Sequence, residues 1–130
     1  MNILILMLDL DGMKTFDAER LRGCLSSLQG TRNWAENVGH AEFECEYDFD
    51  EDSTLIRLGM EHYDVAIWGI GSASLKAALE IQRCCGEDIH LLSLSPRLHL
   101  VLSGISTVEE LRARIRASIR ACNEGQTGAG

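Results

Sequence analysis

This sequence of 130 residues lacks two kinds of segment that would identify a membrane protein or a secreted protein. No stretch approaches the roughly 18 consecutive apolar residues that a membrane-spanning helix needs. The apolar run at residues 3–8 has no basic flank and is followed directly by Asp9, which is typical of a buried strand and not of a signal peptide. The sequence therefore predicts a protein without a membrane span or a leader.

Metal-binding and catalytic signatures are missing as well. The chain has no CxxC pair, no HxxxH motif and no cluster of histidine with cysteine, and these spacings are the usual signs of a zinc site. It also lacks the GxSxG turn that carries the nucleophile of many hydrolases. We therefore expect neither a metal nor a cofactor.

The cysteines are odd in number and lie inside apolar patterns. Such usage is typical of small, buried, reduced residues in a cytosolic protein. Two of them, Cys84 and Cys85, are adjacent, but neighbours on a helix point about 100° apart, so we interpret both as core thiols. The sequence thus predicts a cytoplasmic location and five reduced thiols, at Cys24, Cys45, Cys84, Cys85 and Cys122.

Basic residues are scarce. Twelve lysines and arginines stand against 20 aspartates and glutamates, which gives a net charge of −8. A nucleic-acid binder needs clustered basic residues to contact phosphates, so this balance argues against that class. An acidic surface favours a cationic partner, or serves solubility alone.

The order of apolar patterns predicts one α/β domain. Residues 2–10 indicate a central strand covered on both faces, and a capping box at residues 107–110 opens the last helix. The full pattern predicts the order β-α-β-β-β-α-β-β-α, which gives a two-layer α+β domain with a mixed sheet and about three helices. The domain is expected to span residues 1–122, with a loop at residues 31–39 and a disordered tail at residues 123–130.

The most regular pattern in the chain is an acidic hairpin at residues 40–58. Apolar and acidic residues alternate over ten positions, which predicts a half-buried strand with one apolar and one acidic face. A solvated strand face is the plain explanation, but like charges on one side of a strand repel. A surface of this kind attracts a basic partner, and its carboxylates are Glu42, Glu44, Glu46, Asp48, Asp50, Glu51 and Asp52.

A second candidate site is the DLDG sequence at residues 9–12. It resembles the opening motif of haloacid-dehalogenase-type phosphatases, which implies Mg²⁺ held by Asp9 and Asp11 and one aspartate acting as nucleophile. The resemblance covers only these few residues, and Met13 stands where that family has threonine or valine. The later strand ends, GIGS and SLSP, carry no carboxylate. A turn made of good turn-forming residues is the simpler interpretation, and a small magnesium-dependent phosphatase-like enzyme is the alternative function.

The sequence GIGS at residues 69–72, with glycine at positions 69 and 71, lies between a predicted strand and a predicted helix. Glycine there lets the backbone approach a phosphate at a helix N-terminus. The third glycine of a dinucleotide fingerprint is missing, because position 74 is serine. A tight turn is therefore favoured over a phosphate site.

The stretch NWAENVGHAEFECEYDFDEDSTLIRL, followed by GIGSASLKAALEIQ and HLVLSG, resembles small bacterial immunity proteins. These are encoded beside contact-dependent growth inhibition and polymorphic toxins. The resemblance spans residues 33–115 and follows the cadence, acidity and length of the chain. It implies a cytosolic, non-enzymatic protein that binds one cognate toxin C-terminal domain, often a nuclease.

The charge pattern, and not the resemblance, supplies the expected binding residues. We predict that the carboxylates of the acidic hairpin bind a basic toxin domain. Trp34 lies just before this hairpin and is the expected aromatic anchor. Neither a nucleic acid nor a membrane is expected as a partner.

Overall fold

The computed structural model describes residues 2–94 and 97–128, without the side chains of 122–128. Within these residues the chain forms three helices and seven strands. In order, they are β1 (Ile3–Met7), α1 (Ala18–Ser26), β2 (Thr31–Val38), β3 (Ala41–Phe49), β4 (Asp52–Gly59), β5 (Asp64–Trp68), α2 (Ser72–Cys85), β6 (His90–Leu94), β7 (Arg97–Val101) and α3 (Val108–Gly128).

The strands form one sheet in the order β2-β3-β4-β5-β1-β6-β7. The α+β class is as predicted, but the prediction of a mixed sheet is wrong, because every pairing of the described strands is antiparallel. The strand at the N-terminus lies between β5 and β6, and both run opposite to it. Strand direction depends on such long-range pairing, which local patterns do not encode.

The predicted loop at residues 31–39 is in fact the edge strand β2, so the predicted element order lacked one strand. Its side chains show no alternation of burial, because the register shifts between Arg32 and Ala35 and Asn33 and Asn37 have φ of 56° and 53°. A bulge and left-handed residues twist an edge strand and protect it from pairing with other chains.

All three helices lie on one face of the sheet. Helix α2 packs on β3, β4 and β5, α1 packs against α2, and α3 packs on β7. The buried residues of the strands point to this layer, as Phe43, Cys45 and Tyr47 do on β3. Their apolar side chains join those of the helices in one core.

The opposite face of the sheet is not covered by any helix of the described chain, and we call it the open face. Strand β1 shows the consequence, because Leu4 and Leu6 are fully buried while Ile3, Ile5 and Met7 are only half-buried on the open face. The prediction that this strand is covered on both faces is therefore wrong for the chain on its own.

The last helix extends into the segment for which the sequence predicts disorder. Helix α3 ends at Gly128, while residues 129–130 lie outside the described part of the chain, so the disordered tail stays a prediction. No helix among the described residues combines the length and apolarity that crossing a bilayer requires.

Candidate functional site

The four carboxylates of β3 lie together on the open face. Glu42, Glu44, Glu46 and Asp48 alternate with the buried side chains that β3 sends into the core, and each is half-buried. Strand β4 pairs with β3 along its whole length. The two-faced hairpin therefore has the structure that its alternation predicts.

Two arginines from neighbouring strands contact these carboxylates. Arg57 lies opposite Glu44 in the register and its Nη2 is 3.0 Å from Glu44 Oε2. Arg32 on β2 pairs with Glu46 and places its Nε 2.7 Å from Asp48 Oδ2. The hydrogen bond from Arg32 is the main reason why the pKa of Asp48 is lowered. The repulsion that the sequence implied is thus partly offset.

Asp52, at the start of β4, has a structural role. Its Oδ2 accepts a hydrogen bond of 3.0 Å from the backbone N–H of Ala73 in the first turn of α2. The N-cap residue Gly71 offers no side chain for this purpose, and a Cβ there would lie 2.3 Å from the same oxygen. The GIGS turn therefore holds the chain's own carboxylate where a phosphate would bind, as a helix N-terminus favours a negative charge.

Replacing Asp52 tests this capping role. Asp52→Ala should lower the free energy of unfolding by about 1 kcal/mol, because an N–H at the start of α2 loses its acceptor. Asp52→Asn keeps an oxygen acceptor and should lose less. Urea unfolding of the three proteins measures the difference, and equal stability of Asp52→Ala and the native chain would contradict the role.

The turn between β3 and β4 carries the most accessible carboxylates of the hairpin. Asp50 and Glu51 have φ of 54° and 60°, the left-handed pair of a type I′ hairpin turn. Both are exposed, and neither forms an ion pair within the described part of the chain. We call this pair the hairpin tip.

Trp34 does not lie beside the carboxylates of β3. Its ring centroid is 5.5 Å from that of Phe43, whose side chain belongs to the core on the helix side of the sheet. The bulge in β2 turns it to that side, and 36% of the residue stays exposed. The expected aromatic anchor and the acidic face are thus on opposite sides of the sheet, and a role for Trp34 in binding stays a prediction.

The DLDG residues form the turn after β1. Asp9 Oδ1 accepts a hydrogen bond of 3.0 Å from the backbone N–H of Met13, which is how aspartate stabilises a turn, and Asp11 is exposed. Within residues 2–94 and 97–121, no group of three or more His, Cys, Asp or Glu side chains is arranged to hold a metal ion. Magnesium binding by Asp9 and Asp11 stays a prediction of the sequence.

The prediction that all cysteines are reduced is wrong. Cys24 on α1 and Cys84 on α2 form a disulfide, with Cα atoms 6.1 Å apart. Cys45 and Cys85 are free thiols, and burial raises the pKa of both, that of Cys45 to about 12. The side chain of Cys122 lies outside the described part of the chain. Because disulfides are rare in reducing compartments, the cysteines no longer support a cytoplasmic location.

Apolar residues at the centre of the open face were missed by sequence reasoning. Leu55 and Trp68, together with Arg32 and Glu46, line a shallow depression of about 390 Å³. The guanidinium of Arg57 lies 5.2 Å from the centroid of the Trp68 ring. The signal that could have found this surface is the unbroken apolar run of β1, which has no polar face.

Comparison with protein-family models gives no match for this chain. Comparisons with curated proteins and with solved structures likewise give no match.

Proposed function

We propose that this protein is a non-enzymatic immunity protein of the kind encoded beside bacterial contact-dependent growth inhibition and polymorphic toxins. It binds the C-terminal domain of one cognate toxin, a basic domain with nuclease activity, and blocks it. The proposed location is the cytoplasm, where the nucleic-acid substrates of such a toxin lie.

The observation that carries this proposal is the surplus of negative charge on the hairpin of β3 and β4. Six of its carboxylates, four on the open face and two at the tip, have as ion-pair partners among the described residues two arginines, Arg32 and Arg57, and His62, whose Nε2 is 3.6 Å from Glu42 Oε2. A nuclease has a positive groove for its substrate, so a surface with this surplus attracts and orients it. The exposed hairpin tip is the part that a partner reaches first.

The first experiment is a calorimetric titration against the toxin C-terminal domain encoded immediately upstream of this gene. Tight binding that weakens as salt increases is expected, because salt screens exposed charges. Tight binding that is insensitive to salt would keep the immunity function but place the interface on apolar surface. The absence of binding would refute the proposal.

Substitution of the hairpin tip is the sharper test. The double change Asp50→Asn/Glu51→Lys should weaken toxin binding about 10- to 100-fold, mainly through slower association, as rim charges act on the association rate. Asparagine tolerates the left-handed backbone at position 50, so folding should change little. Surface plasmon resonance at low salt measures both rate constants.

The matched control makes the same change of charge elsewhere. Glu87→Lys/Asp88→Asn alters two exposed residues in the loop between α2 and β6 and should leave binding unchanged. If both double variants weaken binding equally, the effect comes from total charge, and the hairpin tip has no special role.

A further inference from the structure

The centre of the open face is a continuous apolar patch. Ile3 lies opposite Trp68 on β5, and Ile5 lies opposite Leu92 on β6. Together with Leu55 on β4 they are half-buried side chains that no helix of the described chain covers. An uncovered apolar patch of this kind marks an interaction surface.

Strand β6 is oriented as though the open face were covered. Ser93 is buried on the helix side with 4% exposed, while Leu92 and Leu94 point to the open face. Leu94 is 94% exposed. Folding of the chain alone would favour the opposite placement of serine and leucine, so β6 supports a second layer over this face.

The two flanks of the open face differ in charge. On one flank, the four carboxylates of β3 exceed the arginines at positions 32 and 57. On the other flank, the open-face residues of β6 and β7 include Arg97, His90 and His99 and no carboxylate. The two histidines are joined at 2.9 Å between His90 Nδ1 and His99 Nε2. The face therefore runs from an acidic flank through an apolar centre to a flank without carboxylates, whose formal charge is that of Arg97.

We propose that two copies of this chain pack through their open faces as a dimer, with the two-fold axis parallel to the strands. In the order β2-β3-β4-β5-β1-β6-β7, this axis places β5 over β5 of the second copy, β4 over β1, and β3 over β6. The four carboxylates of β3 then face β6, which has none, and the apolar centres meet, with Asp64 at one end of β5 opposite its own copy. An axis across the strands would place β3 over β3, acidic on acidic, so the charges select one orientation.

The size of the face suits such a dimer. With about 4.8 Å between strands and about 3.4 Å per residue, seven strands over five residues cover a flat area of roughly 500 Å². Side-chain relief increases the area that is buried, toward the roughly 800 Å² per partner of a standard interface. Sheets commonly pack face to face in this aligned manner.

The dimer does not depend on the proposed immunity function. Strands β3 and β4 have nine and eight residues, whereas β5, β1, β6 and β7 have five each. The dimer covers the four open-face carboxylates of β3, so the hairpin tip, which extends past the paired faces, is the part of the acidic hairpin that it leaves to a toxin.

Sedimentation equilibrium of the full chain at low salt tests the dimer. The native protein should show twice the mass of the 14.4 kDa chain. Trp68→Lys should raise the dimer Kd at least about 30-fold, because it removes an aromatic anchor at the centre. Leu94→Glu should also raise the dimer Kd. Because the Leu94 side chain is exposed in the single chain, this change should leave folding intact. Met13→Glu, at an apolar residue that is 79% exposed in the loop before α1, is the matched control and should have no effect.

The orientation of the two copies in the dimer is tested by comparing two substitutions of Leu94. In the proposed dimer Leu94 faces the acidic β3 of the second copy, so Leu94→Glu should weaken association more than Leu94→Lys does. The reverse order would overturn the orientation. A monomeric native protein, or a dimer unaffected by Trp68→Lys and Leu94→Glu, would overturn the proposal. A monomer whose toxin binding is lost in Trp68→Lys would assign the open face to the toxin instead.

Discussion

Reduction of the Cys24–Cys84 disulfide is expected to lower the free energy of unfolding by about 4 kcal/mol, the chain-entropy value for a loop of this length. The bond joins α1 to α2 across 60 residues of sequence, so it restricts the unfolded chain over nearly half its length. Urea unfolding with and without reductant measures the change as a shift in the midpoint.

Two variants separate the disulfide from other effects of the reductant. Cys24→Ser/Cys84→Ser should unfold at the midpoint of the reduced native protein and should not respond to reductant. Cys85→Ser keeps the bond and should retain the sensitivity. The same midpoint for oxidised and reduced native protein, or a peptide map without the link from Cys24 to Cys84, would contradict this expectation.

The disulfide was not predictable because its two halves belong to different local patterns. Cys24 lies on the apolar face of α1, a position typical of a small core residue, and it is buried. Cys84 lies beside the buried residues of α2 and is half-buried. Only the packing of α1 against α2 brings them together. The separation of Cys84 from Cys85 on the helix, in contrast, follows from local geometry alone.

Local signals mark two of the helix starts. Asp17 is the N-cap of α1, and its Oδ1 accepts a hydrogen bond of 3.1 Å from the backbone N–H of Arg20. The threonine half of the α3 capping box is present as well, since the N–H of Glu110 donates to Thr107 Oγ1 at 3.1 Å. Both contacts span three residues, so the sequence window that shows the pattern also contains the partner.

The contacts of the acidic face could not be predicted from local sequence patterns. Alternation of period two correctly placed four carboxylates of β3 on one side, but Arg32 and Arg57 reach them from other strands. Asp52, which belongs to the same acidic run, contacts a helix that starts 20 residues later. Which of these charges is available to a partner therefore depends on strand register and helix packing, and the hairpin tip is identified only in three dimensions.

The strand that the sequence missed begins after a glycine, and Gly30→Ala should lower the free energy of unfolding by about 3 kcal/mol. Gly30 has φ of 108°, and a Cβ there would lie 2.4 Å from the backbone oxygen of Asp48. The left-handed backbone costs about 1–2 kcal/mol for alanine. Relief of the contact would also break the hydrogen bond from Asp48 N–H to Gly30 O, at 3.0 Å, worth about another 1 kcal/mol.

Gly23→Ala is the matched control, with an effect of opposite sign. Gly23 lies inside α1, and a Cβ there meets nothing within 4 Å, so alanine should stabilise the protein by about 0.5–1 kcal/mol through its higher helix propensity. Thermal unfolding of the two variants side by side measures both changes. If Gly30→Ala also stabilises the protein, the backbone does not take a glycine-only conformation at the start of β2. Because Gly30 fixes β2 against the far end of β3, the placement of Arg32 beside Glu46 and Asp48 would then have to be revised as well.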